Sequence, residues 1–214
     1  MKTLLSLLSL TSLLTLQAIA SDTLPFYQSA DFTPHWLTPD SKAAQQFHRI
    51  PAFRFTNQFG ETVTEALVDG KIYVANFFFT TCPGICPAIR SKLVKVHEAF
   101  AQDTGVMILS HSIRPQHDTV DILQDYAKHN GITGRQWQLL TGDRERTYRL
   151  ARDAYFANED LGEVQSSDDF LHTENLLLID QHRHIRGVYN GLNAASVQNL
   201  IDDIHRLKAE SSNL

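Results

Sequence analysis

One stretch constrains the fold more than any other: IYVANFFFT, Ile72 to Thr80. It is almost wholly apolar and rich in β-branched and aromatic residues. Such a run is too short for a membrane span and reads as a strand buried on both faces. A strand of that kind needs layers on both sides, so the chain must build a sheet covered by other elements. The run leads directly into TTCPGICPAIR, Thr80 to Arg90, which holds the only two cysteines of the chain, Cys82 and Cys86.

The flanking patterns give the layers. Ala52–Phe55 and Thr62–Leu67 read as extended pieces around the turn Asn57–Gly60. Pro87–Phe100 carries Ile89, Leu93, Val96 and Phe100 at helical steps. Val106–Ser110 is a second buried strand. A helix follows with Val120, Leu123 and Tyr126 on one side, and Asp118-Thr119 stands at its start as a cap. Trp137–Leu140 reads as a strand, and Asp143 caps a helix reaching about Ala154. Leu176–Asp180 and Ile185–Tyr189 form a hairpin, and Asn193 caps a last helix. This order predicts an α/β, thioredoxin-like central sheet flanked by helices, with an N-terminal hairpin. The unperiodic stretch Phe156–Asp169 is an insertion before the last hairpin. The cysteines then lie where a central strand ends and a helix begins, the usual crevice for chemistry in open α/β sheets.

Three segments are expected. Residues 1–20 have a basic Lys2, a leucine-rich Leu4–Leu16 and an Ala18-Ile19-Ala20 cleavage site, the pattern of a secretory signal peptide. The alternative is an uncleaved anchor helix. No cysteine near the cut allows a lipoprotein. Residues 21–50 hold Pro25, Pro34 and Pro39 among aromatics and form an irregular leader packed on the domain. Residues 51–214 are the domain. Export, to a periplasm, is expected. A net charge of −5 without a basic stripe gives no sign of nucleic-acid binding, and none is expected. Membrane contact is expected only through a partner or an uncleaved signal segment.

An oxidising compartment favours disulfides. A bridge between Cys82 and Cys86 closes too small a loop to stabilise the fold much. A chemical role is therefore favoured. On a helix, residues four apart share a face, and a helix N-terminus favours thiolates. Redox exchange and soft-metal binding both suit such a pair, and spacing alone does not choose. The redox motif of thioredoxins has two residues between its cysteines; this chain has three. Two thiolates are too few for a closed zinc site and suit Cu(I), with an imidazole completing the set. Of the ten histidines, His182 and His184 read as a solvated hairpin tip. His111, at the end of a strand, is expected near the crevice. His172, on the loop entering Leu176–Asp180, is expected to face the start of the cysteine helix.

TTCPGICP (Thr80–Pro87) resembles the motif of the Sco/SenC proteins, copper-handling factors of cytochrome c oxidase assembly with a thioredoxin-like fold. LPFY (Leu24–Tyr27), FTPHW (Phe32–Trp36), FTNQFG (Phe55–Gly60), LTGD (Leu140–Asp143), FLHTENLLLID (Phe170–Asp180) and GVYNG (Gly187–Gly191) resemble further blocks of that family. The resemblance implies that Cys82, Cys86 and His172 are copper ligands, for Cu(I) or Cu(II). It implies as partners a copper donor, a thiol reductant and a copper-site apo-protein such as an oxidase subunit. In place of the Asp-Pro that many members carry, this chain has Arg114-Pro115. Asp118 matches a later acid of that loop but reads as a helix cap, and Arg114 is expected to tune charge near the site or touch a partner. The competing function is a thiol–disulfide oxidoreductase, in which Cys82 attacks and Cys86 resolves. A thiol peroxidase, with Arg90 beside the cysteine, is a weaker third reading.

Overall fold

A computed structural model of the chain describes residues 23–157 and 173–212. The apolar run forms β3 (Ile72–Phe78), with all seven residues buried. It is the hub of a seven-stranded sheet. Parallel β4 (Val106–Ser112) lies on one side, in register from Ile72 opposite Val106 to Phe78 opposite Ser112. Antiparallel β6 (Asn175–Ile179) lies on the other. Beyond β4 come parallel β5 (Trp137–Thr141) and the antiparallel hairpin of β1 (Arg54–Asn57) and β2 (Thr62–Thr64). Beyond β6 comes β7 (Ile185–Asn190). The order is β2-β1-β5-β4-β3-β6-β7. The expected thioredoxin-like α/β class is found; the stretch expected as an insertion lies mostly outside the described residues.

Successive strand residues point to opposite faces, and the two faces of β3 carry different cargo. On one face lie α2 (Cys86–Ala99), α3 (Val120–His129) and α5 (Ala194–Ser212), with Tyr126 against Phe78 and His205 against Phe100. On the other lies α4 (Arg144–Arg149), which widens into one π-helical turn over Leu150–Ala154. Tyr155, just beyond it, packs on Phe77 and shares a hydroxyl contact with Tyr73.

The leader is tied down at its start and carries a short helix, α1 (Lys42–Gln45). Leu24 and Phe26 are buried. Tyr27 bridges to Ile185, covering part of the β7 edge. The buried Arg186 guanidinium lies over the Phe26 ring and donates to the carbonyls of Leu24 and Pro25. It also pairs with Asp180 and Glu210. One cation thus joins leader, last hairpin and C-terminal helix, and its desolvation is offset by two carboxylates and two carbonyls.

Candidate metal and thiol centre

β3 ends at Phe78, and the chain turns through Phe79–Ile85 before α2 begins. Pro87 fixes where the helix starts. It occupies the first turn, where its missing N–H costs nothing and its fixed φ suits the helix. The helix therefore opens at Cys86, and Cys82 lies outside it. The expectation that both sulfurs share one helix face is corrected. They meet because the Pro83-Gly84 turn folds Cys82 back over the helix N-terminus.

That turn makes the two thiols unequal. Both are free and buried, at 9% and 8% exposure. Burial works against ionisation of Cys82. Hydrogen bonds from the Cys86 thiol and from the backbone N–H groups of Cys86, Gly84 and Ile85 outweigh it, and the Cys82 pKa falls below its ordinary value. Cys86 moves the opposite way. Burial raises it, and donation to Cys82 raises it further. Cys82 is therefore the more readily ionised thiol of the pair, and Cys86 the less. These are the free N–H groups of a helix start, put to work on sulfur.

Asp118 holds this turn in place. Its carboxylate is fully buried and accepts from the Thr80 N–H (3.1 Å), the Thr80 hydroxyl (2.6 Å), the Ser112 hydroxyl (2.6 Å) and His117 Nδ1 (2.9 Å). The end of β3, the end of β4 and the start of α3 are joined through one side chain. The cap of α3 is Thr119, whose hydroxyl accepts from the Ile122 N–H, so reading Asp118 as the cap is corrected. An acid beside a threonine at a helix start carries one signal for both roles. Threonine and serine at the ends of two adjacent parallel strands are the additional signal that points to a buried acceptor. Arg114 reaches the same loop, donating to the Thr81 hydroxyl at 3.1 Å with its guanidinium over Phe79.

His111 is not at the crevice. It lies at the end of β4 but points to the opposite face, between Phe77, Phe55 and Tyr155. Both ring nitrogens are buried without a hydrogen-bond partner among the described residues, and burial pushes the pKa down to about 3. His184 is not solvated: it is buried, and its Nδ1 contacts the His48 carbonyl at 2.8 Å. Its neighbour His182 is exposed, as expected. His172 lies outside the described residues. The described chain resumes at Thr173, and the Glu174 carbonyl accepts from the Gly191 N–H. A Cβ on Gly191 would lie 3.2 Å from Ile89, in the first turns of α2. Among the described residues no three His, Cys, Asp or Glu side chains form a metal-binding group. No helix among them is long and apolar enough to cross a membrane; residues 1–20 lie outside them.

The comparisons with known proteins agree on one family. Residues 41–209 match the family model described as SCO1/SenC. A SCO1/SenC family lipoprotein of Bacillus anthracis is similar in structure, with a TM-score of 0.66, 26% identity, and 75% and 95% of the two chains covered. BsSco is similar at a TM-score of 0.64 and 23% identity, over 76% and 94%. It is described as having a disulfide switch and as a member of the Sco family of cytochrome c oxidase assembly proteins. Arabidopsis thaliana ScoI, solved with copper bound, is similar at a TM-score of 0.58 and 23% identity, over 73% and 98%. The match spans 81% of one curated SCO1 homologue and less than half of several others. With the family model covering strand, cysteine turn and last hairpin alike, the chain belongs to the SCO1/SenC family.

Proposed function

We propose that the protein is a copper chaperone that holds one copper ion through Cys82, Cys86 and His172. It then delivers the ion to a copper-site apo-protein such as a cytochrome c oxidase subunit. The observation that carries this reading is the pair of free, buried thiols at the helix start, with helix N–H groups drawing the Cys82 pKa down and Cys86 beside it. Two soft sulfur donors in a largely desolvated turn fit Cu(I) better than a hard ion. The copper-bound Arabidopsis relative and the family's tie to oxidase assembly support the choice of metal and recipient. His172 enters through the family resemblance and as the residue that precedes Thr173, where the described chain returns beside α2.

The residues divide the work. Asp118 and Thr80 fix the turn, and Cys86 surrenders its proton when the ion arrives. The reduced pair is required, because a disulfide offers no thiolate. Residues 1–20 are proposed as a signal peptide, 21–50 as a leader and 51–214 as the domain, which gives an exported, periplasmic protein.

The same asymmetry favours a second reading. A depressed Cys82 and a raised Cys86 are the nucleophile and resolving thiol of a disulfide reductase. Cys82 would attack a partner disulfide, releasing one partner thiolate. Cys86 would then displace the other, leaving the partner reduced and this chain oxidised, with an external thiol reductant restoring it. Anaerobic Cu(I) competition on the reduced protein and on His172→Ala separates the readings. Tight binding of about one ion per chain, strongly weakened in the variant, supports the chaperone. Weak binding indifferent to His172, with intact disulfide exchange, supports the reductase.

A further inference from the structure

The face of the sheet that does not carry the cysteine helix has its own opening. A cavity of about 700 Å³ lies between the irregular segment leading into β1, with the start of β1 itself, and helix α4. Phe53, Phe55 and Leu150 form an apolar floor. Arg49 and Arg54 stand on one wall. Arg146 and Arg149 stand on the other, three residues apart and so on one side of α4. All four arginines are exposed, and none pairs with a carboxylate among the described residues. Asp153 is the one acid among the lining residues. In a chain of net charge −5, four unpaired guanidinium groups around one apolar groove run against the overall sign.

We infer that this groove docks an acidic, amphipathic segment of a partner protein. Carboxylates along the segment pair with the arginines of both walls, in the two-pronged geometry that guanidinium favours. Leucine or aromatic side chains between them cover Phe53, Phe55 and Leu150. Four cations spread over two walls exceed what one small anion can engage. A concave opening in a net-negative protein suits a segment better than an anionic bilayer. The groove and the cysteine turn occupy opposite faces, so a partner held here leaves Cys82 and Cys86 free. The inference is independent of what the cysteines bind.

The test is fluorescence anisotropy of the full chain with a labelled short peptide in which glutamate alternates with leucine and phenylalanine. A peptide with lysine for glutamate is the control. Binding is expected for the acidic peptide alone and should weaken steeply as salt rises to about 0.3 M, where the Debye length is short. Arg54→Gln/Arg149→Gln should weaken it about tenfold, with circular dichroism unchanged because both residues are exposed. Cys82→Ser should leave it intact. No binding, or equal binding by wild type and the double variant, overturns the inference. So does sedimentation with phosphatidylglycerol-containing vesicles in the absence of peptide binding, which would make the surface a membrane contact. Tighter peptide binding after Glu159, Asp160, Asp168 and Asp169 are changed to amides also overturns it, since the chain's own acidic stretch would then be the occupant.

Discussion

Replacing Asp118 with alanine should damage this protein more than any other single change of an acid near the cysteines. The carboxylate is fully buried and accepts four hydrogen bonds, three from Thr80 and Ser112 at 2.6 to 3.1 Å. Each bond to a charged acceptor is worth about 1.5–3 kcal/mol, and a donor left buried and unpaired costs about 1–3 kcal/mol. The bonds share one group and are not additive. The expected loss for Asp118→Ala is therefore about 3–5 kcal/mol, the range for breaking one side of a buried charged cluster. Thr119→Ala removes the cap bond, at 3.5 Å a long one, and should cost about 1 kcal/mol or less. Urea unfolding of the reduced protein at neutral pH gives both values. Because Thr80 leads into the cysteine turn, Asp118→Ala should also shift the pH profile of Cys82 alkylation upward, as the turn loosens its hold on the N–H donors. Loss below about 1 kcal/mol with an unchanged alkylation profile would show that Asp118 does not hold the cysteine turn.

Four further outcomes rest on the thiol pair and on groups buried elsewhere. Iodoacetamide at mildly alkaline pH should modify Cys82 before Cys86, read by peptide fragmentation. Cys82→Ala should lower the Cys86 pKa by removing its hydrogen-bond acceptor and charge, while burial keeps it above the ordinary thiol value; equal reactivity of the two would contradict the assigned asymmetry. His111 is neutral in the fold, with a pKa near 3 against the ordinary 6.5. Its contribution is thus fully present above pH 6.5 and is lost as pH falls toward 3, the loss reaching about 3 kcal/mol by pH 4.5. His111→Leu should flatten that acid limb in urea titrations, and superimposable limbs would count against it. Arg186→Leu strands Asp180 and Glu210 without their cation and should cost about 3–5 kcal/mol; a stability within about 1 kcal/mol of wild type would show the cluster to be incidental.

Much of the architecture was legible because burial writes a strong pattern. Ile72–Phe78 had to be a central strand, since no half-exposed strand tolerates that composition. The helices around Leu93 and Leu123 followed from their apolar period. Ends were less legible. Pro87 is compatible with the first or second helical position, and that single step decides whether Cys86 is inside the helix. His111 was misplaced because side chains alternate across a strand, so one residue decides between crevice and core. His184 was misread for a related reason. A hairpin tip is polar in sequence, but the leader folds over this one and supplies the His48 carbonyl. The π-helical turn after α4 left no mark in the residues at all. The candidate centre was legible as to its two thiols, which stand alone in the chain. Their inequality was not, because it depends on which backbone N–H groups the turn aims at sulfur.

X-ray absorption at the copper edge of the loaded, reduced full chain reads out the proposed donor set. Two sulfur scatterers and one imidazole are expected. The imidazole signature should vanish in His172→Ala, and the sulfur contribution should halve in Cys86→Ser. A shell of light atoms alone, or an imidazole signal that survives His172→Ala, would contradict it.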